Sequence, residues 1–101
     1  MKSIMRVESN FQEQAVSQGN YGLMQIRLTT AKHFCNIQNV PTLMNPYNNV
    51  DCSCKILSSL NQIYKRVPLV ISAYNAGTAT SKNRVYVTQV LKYKANYDRR
   101  K

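Results

Sequence analysis

Acidic residues are scarce in this chain. Four occur in 101 residues (Glu8, Glu13, Asp51 and Asp98) against 14 Lys and Arg, giving a net charge of +10. With one histidine, His33, and no cluster of carboxylates, a metal site is not expected, and nothing implies an organic cofactor. Tryptophan is absent, and there are only three Gly and three Pro. So few turn formers argue against a turn-rich all-β fold and for helices. No run of about 18 apolar residues is present, so the chain is not expected to be membrane-spanning. Met1-Lys2-Ser3 is followed by Arg6 and Glu8 instead of an apolar segment, so no secretory leader is visible. Work outside the cytoplasm would need a leader already removed or delivery by another system.

The length suits one domain with one modest core. The excess of Lys and Arg implies an anionic surface as partner: nucleic acid, anionic lipid or an acidic wall polymer. No nucleic-acid motif is present and the cations are scattered except near the end, so no nucleic-acid partner is expected. Residues 98–101 read as a basic tail. Cys35, Cys52 and Cys54 leave one odd thiol. Residues two apart on a helix point to opposite sides, so Cys52 and Cys54 cannot both face Cys35. A Cys35 disulfide in an oxidising compartment and three buried free thiols both remain open.

The pattern predicts about five short helices. One covers residues 1 to about 10, with Ile4, Met5 and Glu8 on one face. Residues 12–21 read as a polar loop, and Leu23 to Ile26 as a single helical turn. A helix from Thr29 to Ile37 would turn Ala31, Phe34 and Cys35 inward. Val40 to Pro46 reads as a connector, because a residue before proline is pushed out of the α region. Asn48 or Asn49 is expected to cap the next helix, with Asp51 in its first turn. Ile56, Leu57, Leu60, Ile63 and Tyr64 form its apolar stripe, and it ends at Lys65-Arg66. Pro68 suits the first turn of a helix to Asn75, closed by Gly77. A last helix begins near Ala79-Thr80-Ser81 and buries Tyr86, Val87, Val90, Leu91 and Tyr97.

Glu8 is the acid that stands out. It lies in the apolar-flanked run Ile4-Met5-Arg6-Val7-Glu8. A carboxylate on the buried side of a helix is costly to ionise, which raises its pKa. An acid still protonated near neutral pH can give up that proton to a leaving group. Three blocks stand in order: Glu8-Ser9, Gly22-Leu23-Met24-Gln25 and Ala73-Tyr74-Asn75-Ala76-Gly77, with Tyr86 about ten residues past the last. Their order and spacing resemble the catalytic domain of soluble lytic transglycosylases, the lysozyme-like enzymes that cleave peptidoglycan. The resemblance runs from Ile4 to about Tyr97, so the catalytic domain is placed at residues 1–97. It implies an all-α, lysozyme-like fold around a substrate cleft. The stretch from Asn45-Pro46 to Leu57 is similar to a further family segment, with Ser53 where glycine is usual. The cysteine near position 52 and the short format look like small members serving secretion, pilus or conjugation machines. Phage-borne members are also similar. Such members work in the periplasm or cell envelope, or are phage-delivered.

The resemblance implies that Glu8 is the sole catalytic acid and base. It would cleave the bond between N-acetylmuramic acid and N-acetylglucosamine, leaving a 1,6-anhydro end. Ser17, Met24, Gln25, Tyr74, Asn75 and Tyr86 match substrate-binding or orienting positions. The acid census fits independently. Most glycosidases use a second carboxylate roughly 5–10 Å away. Glu13, five residues on, would lie about 140° round a continued helix. Asp51 reads as a helix-start residue and Asp98 as part of the basic tail. A substrate hydroxyl acting as nucleophile needs no such partner. A hydrolytic muramidase on the same fold and a non-catalytic wall-binding module are the rival readings.

Overall fold

Asn45 and Pro46 begin the longest helix among the described residues. The Asn45 side chain accepts the backbone N–H of Tyr47 and of Asn48, at 3.0 and 3.2 Å. Pro46 occupies the first turn, where its missing N–H would have had no helical partner. In the computed structural model, which describes residues 1–99, nine elements follow in order. They are α1 (Lys2–Ser9), β1 (Val16–Ser17), β2 (Asn20–Tyr21), β3 (Ile26–Arg27), α2 (Leu28–Cys35), α3 (Val40–Met44), α4 (Pro46–Tyr64), α5 (Val67–Ala76) and α6 (Arg84–Arg99). Helix α4 packs against α2, α3 and α5, while α6 packs against α1 and α5. Ile4, Met24, Ile26, Ala31, Leu43, Ile56, Leu60, Val70, Ile71 and Val90 are buried in a single cluster.

The helical prediction holds, with one helix more than expected and a small sheet in addition. The stretch read as a loop contains an antiparallel hairpin, with Ser17 opposite Asn20. Its turn is Gln18-Gly19, both at positive φ (53° and 79°), the combination that matches the twist of a two-residue hairpin. Strand β2 pairs with β3, Tyr21 opposite Ile26, so Gly22 to Gln25 is a hairpin loop and not a helical turn. The expected connector from Val40 to Pro46 contains α3. The Asn39 side chain caps it by accepting the Thr42 N–H at 2.9 Å, and Pro41 fits its first turn. The proline rule disfavours α geometry at Val40 without forbidding it, and the cap outweighs it.

Helix boundaries shift in other places for local reasons. Asn10 (φ 53°) closes α1 in the left-handed conformation, its N–H bonding to Arg6 O. Asn36 (φ 55°) ends α2 before Ile37. Lys65 (φ 61°) ends α4, and Gly77 (φ 87°) ends α5 as expected. Asp51 falls beyond the first turn of α4 and pairs with Lys55 at 3.4 Å. Ile63, expected inward, is 69% exposed, and Phe34 is on the surface at 38%. Helix α6 starts at Arg84, later than expected, because residues 78–83 are tied down by side chains. Ser72 Oγ accepts the Thr80 N–H at 3.0 Å and donates to Asn83 Oδ1 at 2.7 Å. Of the expected basic tail, Asp98 and Arg99 are helical, and Arg100 and Lys101 lie outside the described residues.

Cys35 and Cys52 form a disulfide between α2 and α4, and Cys54 is a free, exposed thiol. The bridge closes a loop of 17-residue separation. Replacing both cysteines by serine should lower the unfolding free energy by about 3 kcal/mol, the chain-entropy value for a loop of this length. Urea unfolding of the oxidised protein and of the double variant measures this, and equal midpoints would contradict it. No helix among the described residues is long and apolar enough to cross a membrane.

Candidate active site

The site is built on the loop between β2 and β3. Gly22 adopts φ +80°, and a Cβ there would lie 2.3 Å from Asn49 Nδ2, so both conformation and space require glycine. Asn49 lies within α4 and is fully buried. Its Oδ1 accepts the Met24 N–H at 2.8 Å, and its Nδ2 donates to Tyr21 O at 2.9 Å and Leu43 O at 3.0 Å. The residue considered for a helix cap is thus the clamp on this loop. Two of its three partners lie 25 and 28 residues back in the chain, too far for local spacing to reveal.

This clamp decides what each loop residue presents. Met24, matched to a substrate-binding position, is fully buried in the core cluster and is not among the residues lining the cleft. Its carbonyl accepts from Tyr74 Oη at 2.7 Å, which ties α5 to the loop. Gln25 adopts φ 50°. Its Nε2 donates to Ala15 O at 3.0 Å and Gly22 O at 2.9 Å. Both amide hydrogens are therefore occupied, and Oε1 is what Gln25 can offer a ligand.

Glu8 sits in the last turn of α1, with Tyr86 Oη of α6 donating to its Oε2 at 3.1 Å. Burial pushes the Glu8 pKa up to about 7, and the Tyr86 hydrogen bond opposes part of that rise. Burial and the nearby Glu8 charge push both the Tyr86 and Tyr74 phenols well above the usual tyrosine range. Both phenols therefore stay neutral donors wherever Glu8 titrates. At the end of α5, Asn75 Oδ1 accepts from Asn83 Nδ2 at 3.0 Å, which leaves the Asn75 amide hydrogens available. Asn83 is itself fixed by Ser72, through Oδ1 at 2.7 Å and through Nδ2 to the Ser72 carbonyl at 2.9 Å. Neither Ser72 nor Asn83 stood out in the sequence, since ordinary polar residues carry no spacing signal.

These groups meet at a cleft of about 520 Å³. Glu8, Gln25, Tyr74 and Asn75 line it, and Tyr86 reaches it through Glu8. Ser17 is exposed on β1 and is not among the lining residues, so the structure does not place it with the others. Arg27, Thr30 and Phe34 line the cleft without having been singled out, as does Asn20. Glu8 is the one carboxylate among the described lining residues. Asp51 and Asp98 are each held by a lysine on the surface, and Glu13 is exposed. Among the described residues no three His, Cys, Asp or Glu side chains gather as metal ligands would.

An acid with a raised pKa in a cleft of polar amides and phenols is suited to protonating a leaving oxygen. The family model described as the transglycosylase SLT domain matches residues 1–96. No curated protein matches the chain at a significant level. On a match over nearly its whole length, the chain belongs to the transglycosylase SLT domain family, lysozyme-like domains of lytic transglycosylases that act on peptidoglycan in the cell envelope.

Proposed function

We propose that the protein cleaves the β-1,4 bond between N-acetylmuramic acid and N-acetylglucosamine without consuming water, with Glu8 as the only acid and base. The observation that carries this reading is a single carboxylate with a pKa near 7 in a cleft whose described lining holds no second one. Protonated Glu8 gives its proton to the glycosidic oxygen as the C1–O4 bond breaks, and N-acetylglucosamine leaves as an alcohol. The substrate's acetamido oxygen stabilises the positive charge that develops at C1. Glu8, now a carboxylate, takes the proton from the C6 hydroxyl of the same muramyl ring, and O6 closes on C1. One C–O bond breaks and one forms. The proton has moved from O6 to O4 through Glu8, which ends as it began.

The surrounding groups support this cycle physically. Tyr86 orients the carboxyl and steadies its ionised form halfway through. Gln25 Oε1 can accept from a sugar N–H or hydroxyl, and the Asn75 amide can donate to an acetamido or hydroxyl oxygen. Tyr74 holds the loop that carries Gln25 while lining the cleft. Met24 contributes by excluding water from the wall behind these groups.

Mass spectrometry of purified peptidoglycan digested with the protein tests the reading. The expected products are muropeptides ending in 1,6-anhydro-N-acetylmuramic acid. Reducing ends would instead identify a hydrolase, and no product from folded protein would indicate a binding module. The pKa of Glu8 also fixes a pH dependence. Glu8 must enter the cycle protonated, so kcat/KM should fall tenfold per pH unit above a midpoint near 7. A profile flat from pH 6 to 9 would remove Glu8 from the acid role.

A further inference from the structure

Among the described residues lining the cleft, Arg27 is the one cation. No hydrogen bond or ion pair to another described residue engages its guanidinium, although ion pairs form elsewhere on the surface. Arg27 is the last residue of β3 and directly precedes α2. Across the sheet it is the register partner of Asn20, so the two side chains lie on the same face, and both line the cleft. Thr30 and Phe34 follow at three and seven residues, a helical spacing that keeps them on one stripe of α2. All four line the cleft, and over seven residues at 1.5 Å each the stripe spans about 10 Å. It forms a wall distinct from the Glu8–Tyr86 pair.

Neutral sugar rings do not call for a guanidinium. Its five donors in a planar fork match a carboxylate. With Glu8 largely protonated below its pKa of about 7, Arg27 is the dominant fixed charge of the cleft lining in mildly acidic solution. A peptidoglycan strand offers carboxylates in two places. Stem peptides carry them, and a muramyl residue stripped of its peptide carries one on its lactyl group. The stripe favours the stem peptide. A carboxylate at Arg27 with amide and apolar groups along Asn20, Thr30 and Phe34 is the pattern of a short peptide, whereas a lactyl group would use Arg27 alone.

We infer that the wall formed by Asn20, Arg27, Thr30 and Phe34 binds a carboxylate-bearing stem peptide, so that peptide-bearing strands are preferred over stripped ones. This rests on the proposed reaction for its choice of polymer, but its test is a binding measurement that needs no turnover. Calorimetry would titrate a tetrasaccharide carrying stem peptides into the Glu8→Gln protein, with and without Arg27→Gln. It would be repeated with the fragment's carboxyls converted to methylamides and with the peptide-free tetrasaccharide. The expected result is a roughly tenfold weaker Kd on Arg27→Gln for the peptide-bearing fragment. A similar loss should follow methylamidation on the Arg27-containing protein, and no further loss when both changes are combined. Arg27→Lys should recover part of the affinity.

Independent, multiplicative losses would overturn the inference, because Arg27 would then not be reading the carboxylate. A loss seen only with the peptide-free fragment would assign Arg27 to the lactyl group and overturn the peptide assignment. Absence of binding by any fragment would overturn it as well. The proposed reaction stands or falls separately, on whether the wild-type protein yields anhydro ends.

Discussion

Glu8→Gln should reduce the rate of peptidoglycan cleavage by about 10²–10⁴-fold, the range for losing a general acid, while making the folded protein more stable above pH 7. Both effects come from one cause. Burial raises the Glu8 pKa from 4.5 to about 7. At pH 4 the carboxyl is protonated in the folded and the unfolded chain, and its elevation has no effect on stability. Between 4.5 and 7 the unfolded chain releases its proton and the folded chain keeps it, so stability falls as pH rises. Above 7 the loss levels off at about 3 kcal/mol. Glutamine keeps the shape, can still accept from Tyr86, and cannot ionise. The stability difference between variant and wild type should therefore be small at pH 4 and approach about 3 kcal/mol at pH 8. Urea unfolding of both proteins at the two pH values measures it. A difference that does not change with pH would mean that Glu8 is not desolvated, and an active variant would end its catalytic role.

Asn49→Leu should be the most damaging single change away from the carboxylate. Asn49 is fully buried and bonds three backbone groups: Met24 N–H, Tyr21 C=O and Leu43 C=O. Leucine is similar in size and satisfies none of them. Leaving two buried backbone groups and one half-buried one unpaired costs on the order of 4 kcal/mol, a large share of a small domain's stability. Gly22→Ala attacks the same contact from the other side, since its Cβ would meet the Asn49 amide at 2.3 Å from a backbone at φ +80°. Each variant should lose several kcal/mol in urea unfolding. If the two clash at one contact, their effects should not add in the double variant. Gly19→Ala is the control, since a Cβ there meets nothing within 4 Å and Gly19 also has positive φ. It should lose only the backbone share, about 1 kcal/mol. Equal losses at Gly19 and Gly22 would show that backbone conformation alone, without the Asn49 contact, explains the glycine.

Helix existence was legible in the sequence because it depends on patterns a few residues long. The apolar stripe of α4, the Gly77 cap after α5 and the inward face of α6 all lie within reach of local periodicity. The three motif blocks and the lone carboxylate were legible as well, because they are matters of residue type and order. The hairpin between Val16 and Tyr21 was not. Its strands are two residues each, too short to alternate, and its turn uses Gln18 where asparagine or aspartate would have signalled left-handed geometry. Helix α3 was hidden by a proline rule that the Asn39 cap outweighs.

By itself, the sequence determined that this is a small helical domain with one chemically exceptional glutamate, no obvious carboxylate partner for it and a large positive charge. Only the tertiary structure decided how far that glutamate is desolvated, because its pKa depends on its burial and on the Tyr86 phenol that α6 brings to it. Only the tertiary structure turned Asn49 from a candidate helix cap into the clamp of the loop between β2 and β3, left Gln25 its Oε1 as a free acceptor and buried Met24 in the core. The pairing of Cys35 with Cys52, and the placing of Arg27, Thr30 and Phe34 on the cleft, followed in the same way. The physical reason is common to all of these. Hydrogen-bond partners and burial are set by contacts between residues far apart in the chain, and a local pattern carries no record of them.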